Sequence, residues 1–281
     1  MPSELMSSRP DTPVRTTKGR DRKRLEWDVR AAVAQGQFHI DWQPIVDCRA
    51  GILSGFEALL RWNRPGYGPV SPAVFVPVAE DLGLHQQLDR WVLRHACAEA
   101  AQWPEPLRFA VNVSAGWFDG QDLSSQVENI LRATKLDPAR LELEITERVF
   151  FDSAGFALSE LAYLKALGVN LSLDDFGTGF SSLGSLRSIA FDKIKLDRSF
   201  IETLGTCRRT EIIVRSLLHL STGLGMQVCA EGVELESQLG ILQAYQCDEV
   251  QGYLIGRPAA INTDTFLTYA RLGNRDIFTS S

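Results

Sequence analysis

Along residues 22–273, short apolar runs rich in Val, Ile, Leu and Phe alternate with longer stretches of helical periodicity. Eight runs read as strands: FHIDWQPIV (38–46), LSGFEALLRW (53–62), LRFAVNVS (107–114), LELEITE (141–147), VNLSLDDF (169–176), FDKIKLD (191–197), MQVCAEGV (226–233) and DEVQGYLIG (248–256). Two helices stand out between them, over 88–103 and 210–225, the second ending in a glycine stop. Strands separated by helices predict an α/β fold with a parallel sheet, and a (β/α)8 barrel takes about 250 residues. The first two runs break the pattern. Only CRAGI (48–52) separates them, too short for a crossover helix, so they are expected to pair as an antiparallel hairpin. The expectation is one TIM-like barrel with an irregular start, without internal repeats.

The two ends read differently. Residues 1–21 are rich in Ser, Thr, Pro, Arg and Lys and are expected to form a disordered tail; residues 274–281 are expected to fray. The net charge of −6 offers no global basic excess for a nucleic-acid polymer. The five cysteines form no C-x-x-C pair, which speaks against a disulfide framework or a zinc site and for a reducing, cytoplasmic setting. No apolar stretch approaches the roughly 20 residues of a membrane span, and the N-terminus lacks the apolar core of a signal peptide, so no membrane partner is expected.

Candidate chemistry comes from polar residues inside these runs. Strands of a parallel barrel are buried on both faces and should be apolar. Instead Glu57 lies in the second run, and Asn112, Glu144, Glu147, Asp174, Asp175, Lys195, Asp197, Glu231 and Gln251 lie toward the C-terminal ends of later ones. In a (β/α)8 barrel that rim carries the chemistry. So many buried acids around one amine would repel one another unless cations joined them. Carboxylate and amide oxygens suit Mg²⁺ or Mn²⁺ better than Zn²⁺. Asp174 and Asp175 are neighbours and would face opposite ways in a regular strand, but Gly177 and Gly179 permit a turn that brings both to one centre.

The segments FEALLRW (56–62), VNVS (111–114), EITE (144–147), DDFGTGFSSL (174–183), KIKLD (193–197), AEGVE (230–234) and QGYLIGRP (251–258) resemble, in order, those of the EAL domain family of bacterial cyclic-di-GMP phosphodiesterases. The resemblance runs from about Leu25 to about Leu272. It implies a modified TIM (β/α)8 barrel with an antiparallel first strand, and hydrolysis of cyclic di-GMP to linear pGpG with Mg²⁺ or Mn²⁺. It implies metal ligation by Glu57, Asn112, Glu144, Asp174, Asp175 and Asp197, with Glu231 as general base and Lys195 as the essential amine near the attacking water. By the same matching, Gln43, Arg61 and Gln251 lie near substrate, and Glu147 anchors the loop after Asp175. That Gly- and Ser-rich loop (176–189) couples the metals to a second subunit in the family, which implies a homodimer. The regulatory partner stays open. A catalytically silent receptor or scaffold is the competing reading, though no acid or lysine that such members lose is missing here.

The four histidines, His39, His85, His95 and His219, are scattered and are expected to be surface or core residues. Trp27, Trp62, Trp91, Trp103 and Trp117 are expected to pack. Trp42, beside Gln43, is the one tryptophan considered for guanine contact.

Overall fold

The protein is described by a computed structural model covering residues 19–104, 106–118, 123–146, 156–177, 191–261 and 265–266. In chain order the elements are α1 (Gly19–Gln35), β1 (Phe38–Asp47), β2 (Leu53–Arg64), β3 (Gly68–Val70), α2 (Pro72–Asp81), α3 (His85–Ala100), β4 (Arg108–Val113), α4 (Leu123–Thr134) and β5 (Leu141–Thr146). There follow α5 (Phe156–Leu167), β6 (Asn170–Phe176), β7 (Lys193–Leu196), α6 (Arg198–Glu202), α7 (Arg208–Gly223), β8 (Gln227–Ala230), α8 (Glu236–Ala244) and β9 (Glu249–Gln251).

Eight strands close into a ring in the order β1-β9-β8-β7-β6-β5-β4-β2, sealed by the β1–β2 pair. β1 runs antiparallel to both of its neighbours, and every other pairing in the ring is parallel. The five-residue link after β1 therefore makes the hairpin that its length demanded. Each of the eight apolar runs falls on one ring strand, with β1 and β2 running one and two residues past theirs. β3 was not legible, because GPV carries no apolar run; it pairs with the far end of β2. α1 starts at Gly19, inside the segment read as tail, and residues 1–18 and 267–281 lie outside the described residues.

The main core lies between the ring and its helices. Outward residues of β1, β2 and β4 pack on α3 and the chain after it: Trp42 and Trp103 meet edge to face with ring centroids 4.5 Å apart, and Phe56 and Phe109 join them. Burying such rings stabilises by roughly 25 cal/mol per Å² of apolar area, which is why these positions alternate with polar ones. A second cluster joins Leu25, Val29, Phe38, Trp62, Phe75 and Leu88, seating α1 and α2 on the β1–β2 hairpin.

Of the expected packing tryptophans, Trp62, Trp103 and Trp117 are buried and Trp91 packs partly buried against the core. Trp27 does not pack. It is 70% exposed on the outer face of α1, whose Leu25 and Val29 supply the buried face. The barrel interior is polar, filled by alternate residues of the strands at two levels, and the upper level is the site.

Candidate functional site

Seven strands each send one polar side chain to the mouth of the barrel: Gln43 from β1, Glu57 from β2, Asn112 from β4, Glu144 from β5, Asp174 from β6, Lys195 from β7 and Gln251 from β9. Glu231, directly after β8, completes the set. Lys195 stands at the centre. Its Nζ lies 2.5 Å from Glu144 Oε1, 2.6 Å from Glu231 Oε1, 3.4 Å from Glu57 Oε2 and 3.8 Å from Asp174 Oδ1. Amides orient Glu57: Asn112 Nδ2 donates to its Oε1 at 2.9 Å and Gln251 Nε2 to its Oε2 at 2.7 Å. Gln251 Nε2 also lies 3.1 Å from Gln43 Oε1, and Gln43 donates to the carbonyl of Gly256.

The backbone at Asp174–Asp175 differs from expectation in one respect. The turn that departs from the regular strand begins at Asp175 itself, which adopts φ 55°, and the β6–β7 register shifts there. Aspartate is among the few residues that tolerate this left-handed region. Gly177 follows at φ 95°, where an added Cβ would meet the Phe200 ring at 2.7 Å. Gly179, Glu147 and residues 178–190 lie outside the described residues. Asp197 caps α6, its Oδ1 accepting the backbone N–H of Ser199 at 3.0 Å.

Two other expected site residues stand apart from the Lys195 cluster. Arg61 lies four residues beyond Glu57 on β2, about 13 Å of strand. Its Nε donates to Asp41 Oδ2 at 3.0 Å and its Nη1 to the carbonyl of Leu60. Trp42 faces away from the mouth. Its indole N–H donates to Glu99 of α3 at 3.1 Å and its ring is buried against Trp103, so it makes no base-stacking platform. The alternation that turns Gln43 inward turns Trp42 out. Sequence reasoning did not name Arg198, Glu234 and Tyr253, which line the open cleft above Glu57 and Glu231. Glu234 and Tyr253 lie within the AEGVE and QGYLIGRP segments, and that membership was the local signal for them.

The charges perturb one another strongly. Burial pushes Glu144 well above the usual carboxylate range, and repulsion from Glu57 adds to it against the pull of Lys195. Burial also raises Glu231, to about 8; Lys195 counteracts this, while Asp174 and Glu57 reinforce it. Glu57 is held below its ordinary value: burial would raise it, but Lys195 and the Gln251 and Asn112 amides outweigh that. Lys195 is raised far above a free amine because four carboxylates overcome its desolvation. Asp175 is raised by desolvation, then by Asp174 and Asp197. A carboxylate with a pKa displaced this way is a common mark of a functional site.

The donor set fits a hard divalent cation. Among the described residues, no three His, Cys, Asp or Glu side chains stand ready around one point for a metal ion, and the Lys195 ammonium holds the centre instead. Yet Glu144 Oε2, Asp174 Oδ1 and Gln251 Oε1 are buried without a hydrogen-bond partner. Buried oxygens left over in this way cost free energy unless a cation or water meets them, and oxygen-only ligands suit Mg²⁺ or Mn²⁺.

The family model of the EAL domain matches residues 27–258. The chain belongs to the EAL domain family. An uncharacterised signalling protein of Caulobacter vibrioides is 47% identical over 251 residues, 89% of this chain and 31% of that protein. A cyclic di-GMP phosphodiesterase of Pseudomonas aeruginosa is 41% identical over 224 residues, 79% of this chain and 38% of that protein. This EAL domain thus spans about a third of the length of these curated relatives. A solved structure of PaMucR phosphodiesterase in a c-di-GMP complex superposes with a TM-score of 0.81 at 37% identity, covering 86% of this chain and 99% of that one. EAL phosphodiesterases depend on divalent metal ions. Among the described residues, no helix of this EAL domain is long and apolar enough to cross a membrane.

Proposed function

We propose that this EAL domain hydrolyses one phosphodiester bond of cyclic di-GMP, giving linear pGpG, with Mg²⁺ or Mn²⁺ held by Glu57, Asn112, Glu144, Asp174, Asp175 and Asp197. The observation that carries this reading is the four-carboxylate cage around Lys195 at the barrel mouth. The match to the family and the likeness to phosphodiesterases and c-di-GMP complexes support it.

The divalent ions, when bound, neutralise the phosphate and lower the pKa of a coordinated water. The protein's own groups do the rest. Glu231, at the cage with its Oε1 2.6 Å from Lys195 Nζ, takes the proton of the attacking water as general base. Lys195, freed from Glu231 as that acid turns to its water, orients the nucleophile and offsets the charge growing on phosphorus. Water's oxygen bonds to phosphorus, the bond to the 3′ oxygen breaks, and that oxygen leaves as a hydroxyl by taking a proton from solvent, to which Glu231 later returns its own. Gln251 and Gln43 set the Glu57 wall of the cleft. Arg61 meets a substrate phosphate by exchanging Asp41 for it, a planar fork that lysine lacks. Glu147 anchors the loop after Asp175 in this reading.

The proposed EAL domain covers 22–273, with α1 reaching back to Gly19. The homodimer rests on the loop motif and the cytoplasmic setting on the cysteine usage. The deciding experiment incubates the protein with cyclic di-GMP and Mg²⁺ or Mn²⁺ and looks for pGpG. Turnover abolished in Glu231→Ala supports the proposal. Binding without turnover in the unaltered protein overturns it in favour of a receptor.

A further inference from the structure

Beneath the site lies a second level of buried charge. Glu142, Lys193 and Glu249 sit two residues below Glu144, Lys195 and Gln251 on β5, β7 and β9. Lys193 Nζ lies 2.6 Å from Glu142 Oε2 and 2.7 Å from Glu249 Oε2, with all three side chains at most 4% exposed. Arg108 of β4, at the barrel base, closes the group with Nη2 2.6 Å from Glu249 Oε1. The four charges cancel. Cys229 of β8 lies between the levels, within electrostatic reach of Lys193 and Glu249 below and of Lys195 and Glu231 above.

We infer that this quartet is a positioning layer for the amine of the site: by pairing both lower carboxylates it leaves Lys195 to the upper acids. The inference rests on the proposed role of Lys195. Its physics is a competition. A lysine side chain is long and flexible, and Lys195 sits one inward position above Lys193 on the same strand. An unpaired carboxylate in the barrel is costly and draws the nearest cation. With Lys193 and Arg108 in place, Glu142 and Glu249 hold no surplus negative charge. Without Lys193 they do, and Lys195 is the cation at hand. Arg108 cannot follow, because its guanidinium is already tied to Glu249 and lies 3.4 Å from Gln227 Oε1.

The test compares Lys193→Met, Glu142→Gln, the double variant and Lys193→Arg in the full chain. Lys193→Met breaks two buried pairs and Glu142→Gln one, so both lower the melting temperature. Only Lys193→Met leaves surplus negative charge below. It is expected to lower kcat by about tenfold or more with KM within about threefold, as loss of one oriented electrostatic contact does. Glu142→Gln loses far less; the double variant and Lys193→Arg recover kcat. A crystal structure of Lys193→Met is expected to show Lys195 Nζ turned down to Glu142. Equal kcat losses in the two single variants, or Lys195 unmoved, would overturn the inference. If Lys193→Met does not fold, the double variant and Lys193→Arg decide: wild-type-like kcat in both supports the layer, and a loss in the neutral double variant sinks it. If the unaltered protein hydrolyses nothing, the catalytic reading fails on its own, and the position of Lys195 in the variant crystals still decides this one.

Discussion

Lys195 on β7 reaches across β6 to Glu144 on β5, Nζ to Oε1 2.5 Å, so the amine sits inside a ring of acids rather than at its edge. This one contact sets the electrostatics of the mouth. Four carboxylates share one ammonium; burial first, and repulsion among the acids after it, raise the pKa of Glu144 and Glu231 against the pull of that ammonium.

Removing that amine should expose the imbalance. Lys195→Met is expected to lower the stability of metal-free protein by about 3–5 kcal/mol, the usual loss when one partner of a buried ion group is deleted. Adding Mn²⁺ should close most of the gap, because the cation takes the place of the ammonium. Thermal melts in EDTA and in Mn²⁺ measure both, and an equal gap in the two buffers would speak against a metal cage.

The raised Glu231 gives a pH dependence whose sign follows directly. Its folded-state pKa of about 8 exceeds the ordinary 4.5, so between these values the folded chain binds a proton that the unfolded chain has lost. Stability from this group is therefore full below the lower value and declines as pH climbs to the higher one. Metal-free protein should melt lower at pH 8.5 than at pH 6, and Glu231→Gln should flatten that slope. Divalent metal should bind more tightly as pH rises over the same window, because binding expels the proton. Calorimetric titration of Mn²⁺ at several pH values checks this.

Trp42 separates packing from recognition. Trp42→Ala is expected to cost about 3–5 kcal/mol by leaving a hole beside Trp103 and Phe109. Trp42→Phe should keep most of that stability and leave KM for cyclic di-GMP unchanged. A large rise in KM in the phenylalanine variant would return Trp42 to the cleft.

Gly177 tests the backbone turn at the rim. Gly177→Ala places a Cβ against Phe200 at φ 95°, and the left-handed region alone costs a side-chain-bearing residue about 1–2 kcal/mol. The strain falls beside Asp175, so metal affinity should weaken along with the melting temperature. Wild-type affinity in this variant would mean that the turn does not govern Asp175.

The sequence by itself determined the ring: eight apolar runs at strand spacing, a link too short for a helix after the first, and acids where a buried strand should be apolar. Those signals are local, because strand alternation and loop length are written in neighbouring residues. The lower quartet was equally visible as letters, Glu142 two before Glu144 and Lys193 two before Lys195, yet nothing local paired them. β5, β7 and β9 bring them together only when the ring closes. Closure likewise decided that Lys195 faces four acids at once, that Trp42 points out while Gln43 points in, and that Trp27 is left on the surface. Charge partners and burial are properties of distance in space, and the four acids around Lys195 lie 21 to 138 positions from it along the chain.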